Sequence, residues 1–257
     1  MVETSAKLIR KRALAPDVFE LTLACDAFQT PRAGQFLNLS AGAGFTLKRP
    51  LGMITFDEGA RTVTCAFRVA GEGTRVFAAW EVGQKTQLTF PLGNGFSLPE
   101  TAKEVAIVGG GVGVFPLLSL FENPPAGVRF SSFLGYADAA HAFYEKEFRA
   151  RSAETRIATM DGSLGEKGLV TDLLAEELEK RSFDLVLACG PKPMFESLKQ
   201  TLGGRIPCQA SVEERMGCGV GACLVCACKI KEGNEIRKKR VCKDGPVFDL
   251  ETIVLEK

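Results

Sequence analysis

Val105-Ala106-Ile107-Val108-Gly109-Gly110-Gly111-Val112-Gly113-Val114-Phe115-Pro116 reads as a buried strand that turns on glycines into the start of a helix. Four apolar residues in a row suit a strand covered on both faces, as in a parallel sheet. The turn can bring backbone N–H groups and a helix N-terminus to a pyrophosphate, with Gly110, Gly111 and Gly113 as the candidate cradle. A side chain at Gly113 would obstruct that approach. Pro116 stands at the third glycine position of the dinucleotide fingerprint, and no acidic residue is evident about 20 positions on. A tight turn with no ligand therefore stays open. Uncharged sequence runs over 105–121, but four glycines and a proline interrupt it, so it is not a membrane span.

On the C-terminal side of this stretch, strands and helices alternate. Strands are expected at 129–134, 156–159 and 185–188, and helices at 114–121, 139–150, 169–180 and 193–202. That is a βαβ series, hence a parallel sheet covered by helices, over 99–206. Its last strand ends in Cys189-Gly190-Pro191-Lys192-Pro193-Met194, at the strand end where open α/β sheets bind ligands, although a plain loop fits equally. On the N-terminal side, 18–23, 35–40 and 62–69 alternate in polarity and are separated by turn residues. An antiparallel barrel or sandwich over 1–98 is predicted, interrupted by one helix after Gly71-Glu72-Gly73-Thr74. Thr74 can cap that helix, or the turn can meet a phosphate.

Residues 207–257 differ in texture. Met216-Gly217-Cys218-Gly219-Val220-Gly221-Ala222-Cys223-Leu224-Val225-Cys226 carries the spacing C-x4-C-x2-C, and Cys242 supplies a fourth thiolate. This is the plant-type spacing for a [2Fe–2S] cluster, and the glycines let the backbone wrap it closely. Structural zinc is the alternative, although only Cys223 and Cys226 form the short knuckle that zinc favours. Cys228 would point the other way on a continuing strand. Cys25, Cys65, Cys189 and Cys208 are read as small buried hydrophobes. The segment is too short for a core of its own, so bound metal is expected to hold it.

Composition narrows the function classes. The 257 residues carry 32 basic and 31 acidic side chains, a balance that argues against nucleic-acid and membrane-surface binding. The single histidine, His141, rules out any site built on two imidazoles. Nine cysteines, an odd number, and no apolar leader at the N-terminus point to the cytoplasm.

The order of barrel, parallel α/β domain and iron–sulfur tail resembles the ferredoxin–NADP reductase superfamily, and within it the electron-transfer subunits of NAD-dependent dihydroorotate dehydrogenase B. The motifs are Arg49-Pro50-Leu51-Gly52, Gly71-Glu72-Gly73-Thr74, Pro91-Leu92-Gly93-Asn94-Gly95-Phe96, the 109–116 turn, Asp161-Gly162-Ser163 and 189–194. Most specific is the ending, Glu213-Glu214-Arg215-Met216-Gly217-Cys218 through Val241-Cys242-Lys243-Asp244-Gly245-Pro246-Val247-Phe248. The resemblance implies a barrel that holds FAD, an α/β domain for NAD(H) and a [2Fe–2S] subdomain bound by Cys218, Cys223, Cys226 and Cys242. It implies that Arg49 pairs with the flavin pyrophosphate, that Pro50, Leu51 and Gly52 line the flavin ring, and that Ala66, Phe67 and Arg68 touch it from the next strand. Gly73 and Thr74 would bind phosphate. Cys189, Gly190 and Pro191 would border the nicotinamide. Gly52 departs from the family pattern, which has a serine there.

Nicotinamide delivers two electrons as hydride and a [2Fe–2S] centre takes one at a time, so a flavin must stand between them. The implied acceptor is the FMN of a catalytic dihydroorotate dehydrogenase subunit in a heterotetramer of two plus two, serving pyrimidine biosynthesis. Rival readings are the flavin subunit of an NADH-dependent ferredoxin:NADP oxidoreductase or of a sulfide dehydrogenase, and a zinc-stabilised binding module. Gly135-Tyr136-Ala137-Asp138 offers no arginine for a 2′-phosphate, which favours NAD over NADP, with Asp138 reading the ribose.

Overall fold

The computed structural model describes residues 1–255. Six strands close a barrel: β1 (Val2–Ala15), β2 (Val18–Cys25), β3 (Phe36–Leu39), β4 (Arg49–Asp57), β5 (Thr62–Arg68) and β6 (Lys85–Leu92), in the order β1-β2-β5-β4-β3-β6. Every pairing is antiparallel. The period-2 pattern does the work: Leu21 and Leu23 of β2, and Val63 and Cys65 of β5, point inward and are fully buried. One short helix, α1 (Glu72–Ala79), seals the barrel with Phe77, whose ring packs edge-on to Phe67 at 5.6 Å. Burying such a ring contributes about 2 kcal/mol.

The second layer is a seven-stranded sheet in the order β10-β9-β8-β7-β11-β12-β15. Its strands are β7 (Glu104–Gly110), β8 (Arg129–Tyr136), β9 (Glu154–Thr159), β10 (Glu166–Lys167), β11 (Leu185–Cys189), β12 (Cys208–Ser211) and β15 (Val247–Asp249). The helices that cover it are α2 (Val114–Leu118), α3 (Glu145–Arg151), α4 (Val170–Leu178) and α5 (Lys192–Leu202). All pairings are parallel except β12 with β15. Val105 and Ile107 join a core with Leu117 and Phe148 that also takes in Val18, Ile54 and Ala66 of the barrel. Ala106 and Val108 face the opposite way, into a core with Leu174 and Leu198. The fold class expected from the sequence is the one observed.

The tail does not stand apart from the sheet, because β12 and β15 are strands of it. A hairpin of β13 (Ala227–Glu232) and β14 (Glu235–Arg240) lies between them. Cys226, Cys228, Ile230, Val241 and Cys242 extend the α4/α5-side core. Metal is therefore not the sole support of this segment: it shares a neighbour's core. Cys228 does fall on a strand, and its side chain is buried. Among the described residues no helix is long and apolar enough to cross a membrane.

Candidate functional site

The chain lays β8, β9 and β10 to one side of β7, then returns to place β11 and β12 on the other. The crevice beyond the carboxyl ends of β7 and β11 is where such sheets bind ligands. A cavity of about 430 Å³ lies there, lined among others by Arg68, Gly110, Gly111, Gly113, Gly190, Pro191 and Glu213. Cys189 ends β11 beside Gly109, with its thiol buried and pushed well above its ordinary value by that burial.

The glycines of the turn divide the work. Gly111 has φ +55° and open space where a Cβ would be. A Cβ at Gly113 would lie 2.3 Å from the Cys189 carbonyl oxygen. Gly113 is thus demanded first by close packing of the turn on β11, and Gly111 is the one that leaves open space. Asp138 does not line this cavity. Its carboxylate accepts from the His141 backbone N–H at 3.0 Å and pairs with His141 Nδ1 at 2.8 Å, and the His141 hydrogen bond holds its pKa below the ordinary value.

A second cavity, about 440 Å³, opens between barrel, sheet and tail. Pro50, Leu51, Gly52, Ala66, Phe67 and Arg68, expected around a flavin ring, line it, and so does Thr74, expected at a phosphate. Arg49 and Gly73 do not; they pack on each other, and a Cβ at Gly73 would lie 2.4 Å from Arg49 Nε. Thr74 is taken up by its own helix: its hydroxyl accepts from Ala70 N at 2.9 Å and Gly71 N at 3.0 Å, and donates to Gly71 O at 2.9 Å. A phosphate there would meet backbone N–H groups rather than this hydroxyl. At Gly52 a Cβ would meet Pro116 at an ordinary 3.5 Å, so space does not forbid the family serine.

Sequence reasoning missed the residues that come from elsewhere. Val112, Phe115 and Pro116 line the second cavity from the α/β side, and Glu213, Glu214, Met216 and Pro246 from the tail. Arg68, Val112 and Glu213 line both cavities. Glu213 makes no hydrogen bond or ion pair with any described residue. Its side chain is exposed to the cavity space, and crowding by the protein atoms around that space raises its pKa. The only signal in the sequence was its place ahead of the first cysteine.

The cysteine loop begins two residues beyond Met216. Its thiols form two pairs. Cys218 N–H donates to Cys223 Sγ and Cys223 N–H to Cys218 Sγ, each at 3.4 Å, while Cys242 N–H donates to Cys226 Sγ at 3.4 Å. Cys218 Sγ also accepts from Val220 and Ala222 at 3.5 and 3.2 Å. Partial burial works to raise the Cys218 thiol, but these N–H groups bring it down to about 6. Burial, then contact with Cys226, pushes the Cys242 thiol up to about 12. Gly219 at φ +70° and Gly221 at φ +87° give the turns that aim the N–H groups inward. Among the described residues no three His, Cys, Asp or Glu side chains gather on one single-ion site. Two pairs of thiols suit two irons better than one tetrahedral zinc. Arg240, the last of four basic residues at 237–240, binds Asp244 and donates to Gly221 O at 3.1 Å, which ties the loop to the turn carrying Cys242.

Residues 213–254 match the family profile described as the iron-sulfur cluster binding domain of dihydroorotate dehydrogenase B. The chain is 40% identical over 261 residues to the dihydroorotate dehydrogenase B (NAD(+)), electron transfer subunit, of Geobacillus sp. (strain WCH70), covering 99% of this chain and 100% of that one. It belongs to this family. The Bacillus velezensis member is 43% identical over 227 residues, 86% of this chain and 87% of its own. Among solved structures, the NADH-dependent reduced ferredoxin-NADP oxidoreductase, described for flavin-based electron bifurcation, superposes with TM-score 0.87 at 26% identity, over 97% of this chain and 90% of that one. A ferredoxin NADP+ reductase from Neisseria gonorrhoeae with bound FAD and NADP shares the fold at TM-score 0.67 and 20% identity, over 78% and 90%. Membership in the dihydroorotate dehydrogenase B electron-transfer family is what the order of barrel, sheet and cysteine loop led one to expect.

Proposed function

We propose that this chain passes electrons between NAD(H) and the FMN of a catalytic dihydroorotate dehydrogenase subunit, through an FAD on the barrel (1–98) and a [2Fe–2S] cluster on the tail (207–257), with NAD(H) bound in 99–206. The observation that carries this is the sequence of spaces. The switch-point cavity and the barrel cavity share Arg68, Val112 and Glu213, and the second is also lined by Met216, two residues before Cys218. When bound, the flavin supplies the exchange between two-electron hydride and one-electron chemistry.

The chain's own residues bind and orient. Gly111 and the Gly190–Pro191 turn leave backbone free to approach the dinucleotide, and Pro50, Leu51, Gly52, Ala66 and Phe67 form the apolar wall of the flavin cavity. Arg68 and Glu213 place one positive and one negative charge where the two ligands meet. The thiolates of Cys218, Cys223, Cys226 and Cys242 would hold the cluster, which would supply one-electron transfer. Electrons leave where Cys223 is exposed among the bare side chains of Val220, Leu224 and Val225, an apolar rim suited to a partner. The catalytic subunit is that partner, in a two-plus-two complex. Nine free cysteines support a reducing, cytoplasmic setting.

The test is anaerobic purification followed by NADH titration. Yellow, iron- and sulfide-bearing protein whose flavin and then cluster bleach with NADH supports the reading; zinc without iron overturns it. Co-purification with an FMN protein that oxidises dihydroorotate distinguishes this partner from that of a ferredoxin:NADP oxidoreductase.

A further inference from the structure

Two asparagine side chains at the barrel grip the cysteine segment, beside a backbone bond from Asn94 N–H to Gly245 O at 2.6 Å. Asn38 lies in β3, opposite Pro50 of β4, and is 2% exposed. Its Nδ2 donates to the Cys218 carbonyl at 3.3 Å across 180 residues of chain. The carboxamide has one workable orientation, because a flip would set two acceptor oxygens face to face. Gly219 closes over it so tightly that a Cβ would lie 1.9 Å from Asn38 Nδ2. Asn94, just beyond β6, donates from Nδ2 to Lys243 O at 3.0 Å and Asp244 O at 3.1 Å, on the turn that carries Cys242. One asparagine thus holds the Cys218 half of the quartet and the other the Cys242 half.

Asn38 is a poor choice for barrel stability. Its Oδ1 is buried with no donor among the described residues, and an unpaired buried acceptor is unfavourable where a leucine of similar size would carry no such penalty. What Nδ2 does for the cysteine loop explains the residue. Resting on the function proposed above, we propose that Asn38 and Asn94 are positioning residues for electron transfer from flavin to cluster: they clamp the two cysteine-bearing loops to the barrel, Asn38 from the strand whose Phe36 lines the flavin cavity and Asn94 from just beyond β6.

The test compares the anaerobically purified full chain with Asn38→Leu and Asn94→Ala. Iron, sulfide and flavin contents are expected to match the parent, and Asn38→Leu to melt at the same or a higher temperature. Amide exchange over 217–223 is expected to quicken about five-fold in Asn38→Leu, the scale of one net hydrogen bond. Exchange over 241–245 should quicken in Asn94→Ala. In stopped-flow mixing with NADH, flavin reduction keeps its rate while cluster bleaching slows, and the EPR signal of the reduced cluster broadens. Unchanged exchange and unchanged cluster bleaching at full iron content would overturn the clamp, as would a lower melting temperature with both steps slowed alike. If the parent chain's cluster is not reduced by NADH at all, the proposed function fails, while the exchange data still judge the clamp.

Discussion

Cys223 is the exposed member of a quartet whose other half is buried, and its replacement isolates the cluster from the rest of the chain. Cys223→Ser removes one of four thiolates and is expected to lose most iron and sulfide, while NADH still bleaches the flavin. Loss of both cofactors together would instead mean that the tail and barrel cannot be separated. Glu213 makes a prediction of the opposite kind. Its pKa is raised in the folded chain, so the stability tied to its proton is fully present below the ordinary glutamate value and is lost as pH rises through the raised one. Glu213→Gln should flatten that decline and melt above the parent at neutral pH, with no difference in acid. A melting-temperature series across pH checks the sign. Cys218 and Glu213 both sat in motifs quoted from the sequence. Only the cysteine announced its chemistry, because a thiolate's spacing encodes coordination, whereas a lone glutamate's role depends on what surrounds it.

At the scale of elements, the turn between β7 and α2 gives a paired prediction. Gly111→Ala places a side chain at φ +55° in the cavity mouth; it should lower stability by about 1–2 kcal/mol and raise the KM for NADH several-fold. Gly113→Ala should damage folding more than NADH binding, since its Cβ meets β11 backbone, which cannot swing aside as a side chain would. Melting temperature and KM measured together separate the two. The strand–turn–helix pattern was legible from 105–116 because a run buried on both faces leaves no charge. The ends of helices were less so. The helix expected over 114–121 is α for five residues and then tightens into a 3-10 turn at Ser119–Phe121, and that expected over 139–150 splits at Tyr144, which takes φ +63°. Polarity patterns record which face is buried, not where a backbone changes pitch.

At the scale of the whole molecule, barrel and sheet are joined by hydrogen bonding to the buried Glu20 as well as by a shared core. Glu20 of β2 receives Arg12 at 2.9 Å and the Tyr144 hydroxyl at 2.5 Å. Burial raises the Tyr144 pKa, and the charge and hydrogen bond of Glu20 raise it further, so it stays a donor at any working pH. Tyr144→Phe is expected to lower stability by about 2 kcal/mol, the scale of a hydrogen bond to a charged group, read by chemical denaturation; a change below about 0.5 kcal/mol would show that the apolar contact alone joins the layers. His141 adds a lighter tie on the same seam, reaching Asp17 of the barrel at 3.5 Å. Local pattern was enough for the parts: a barrel from period-2 alternation, a parallel sheet from uncharged runs between helices, and an expected iron–sulfur ligand set from the spacing of thiols. How they meet was settled by packing across the chain. It made β12 and β15 strands of the neighbouring sheet, brought Glu213 to the seam of two cavities, and set Asn38 against Cys218. The physical reason is that local periodicity and ligand spacing are properties of a few consecutive residues, whereas strand order and barrel closure are settled by which buried faces can cover one another across the whole chain.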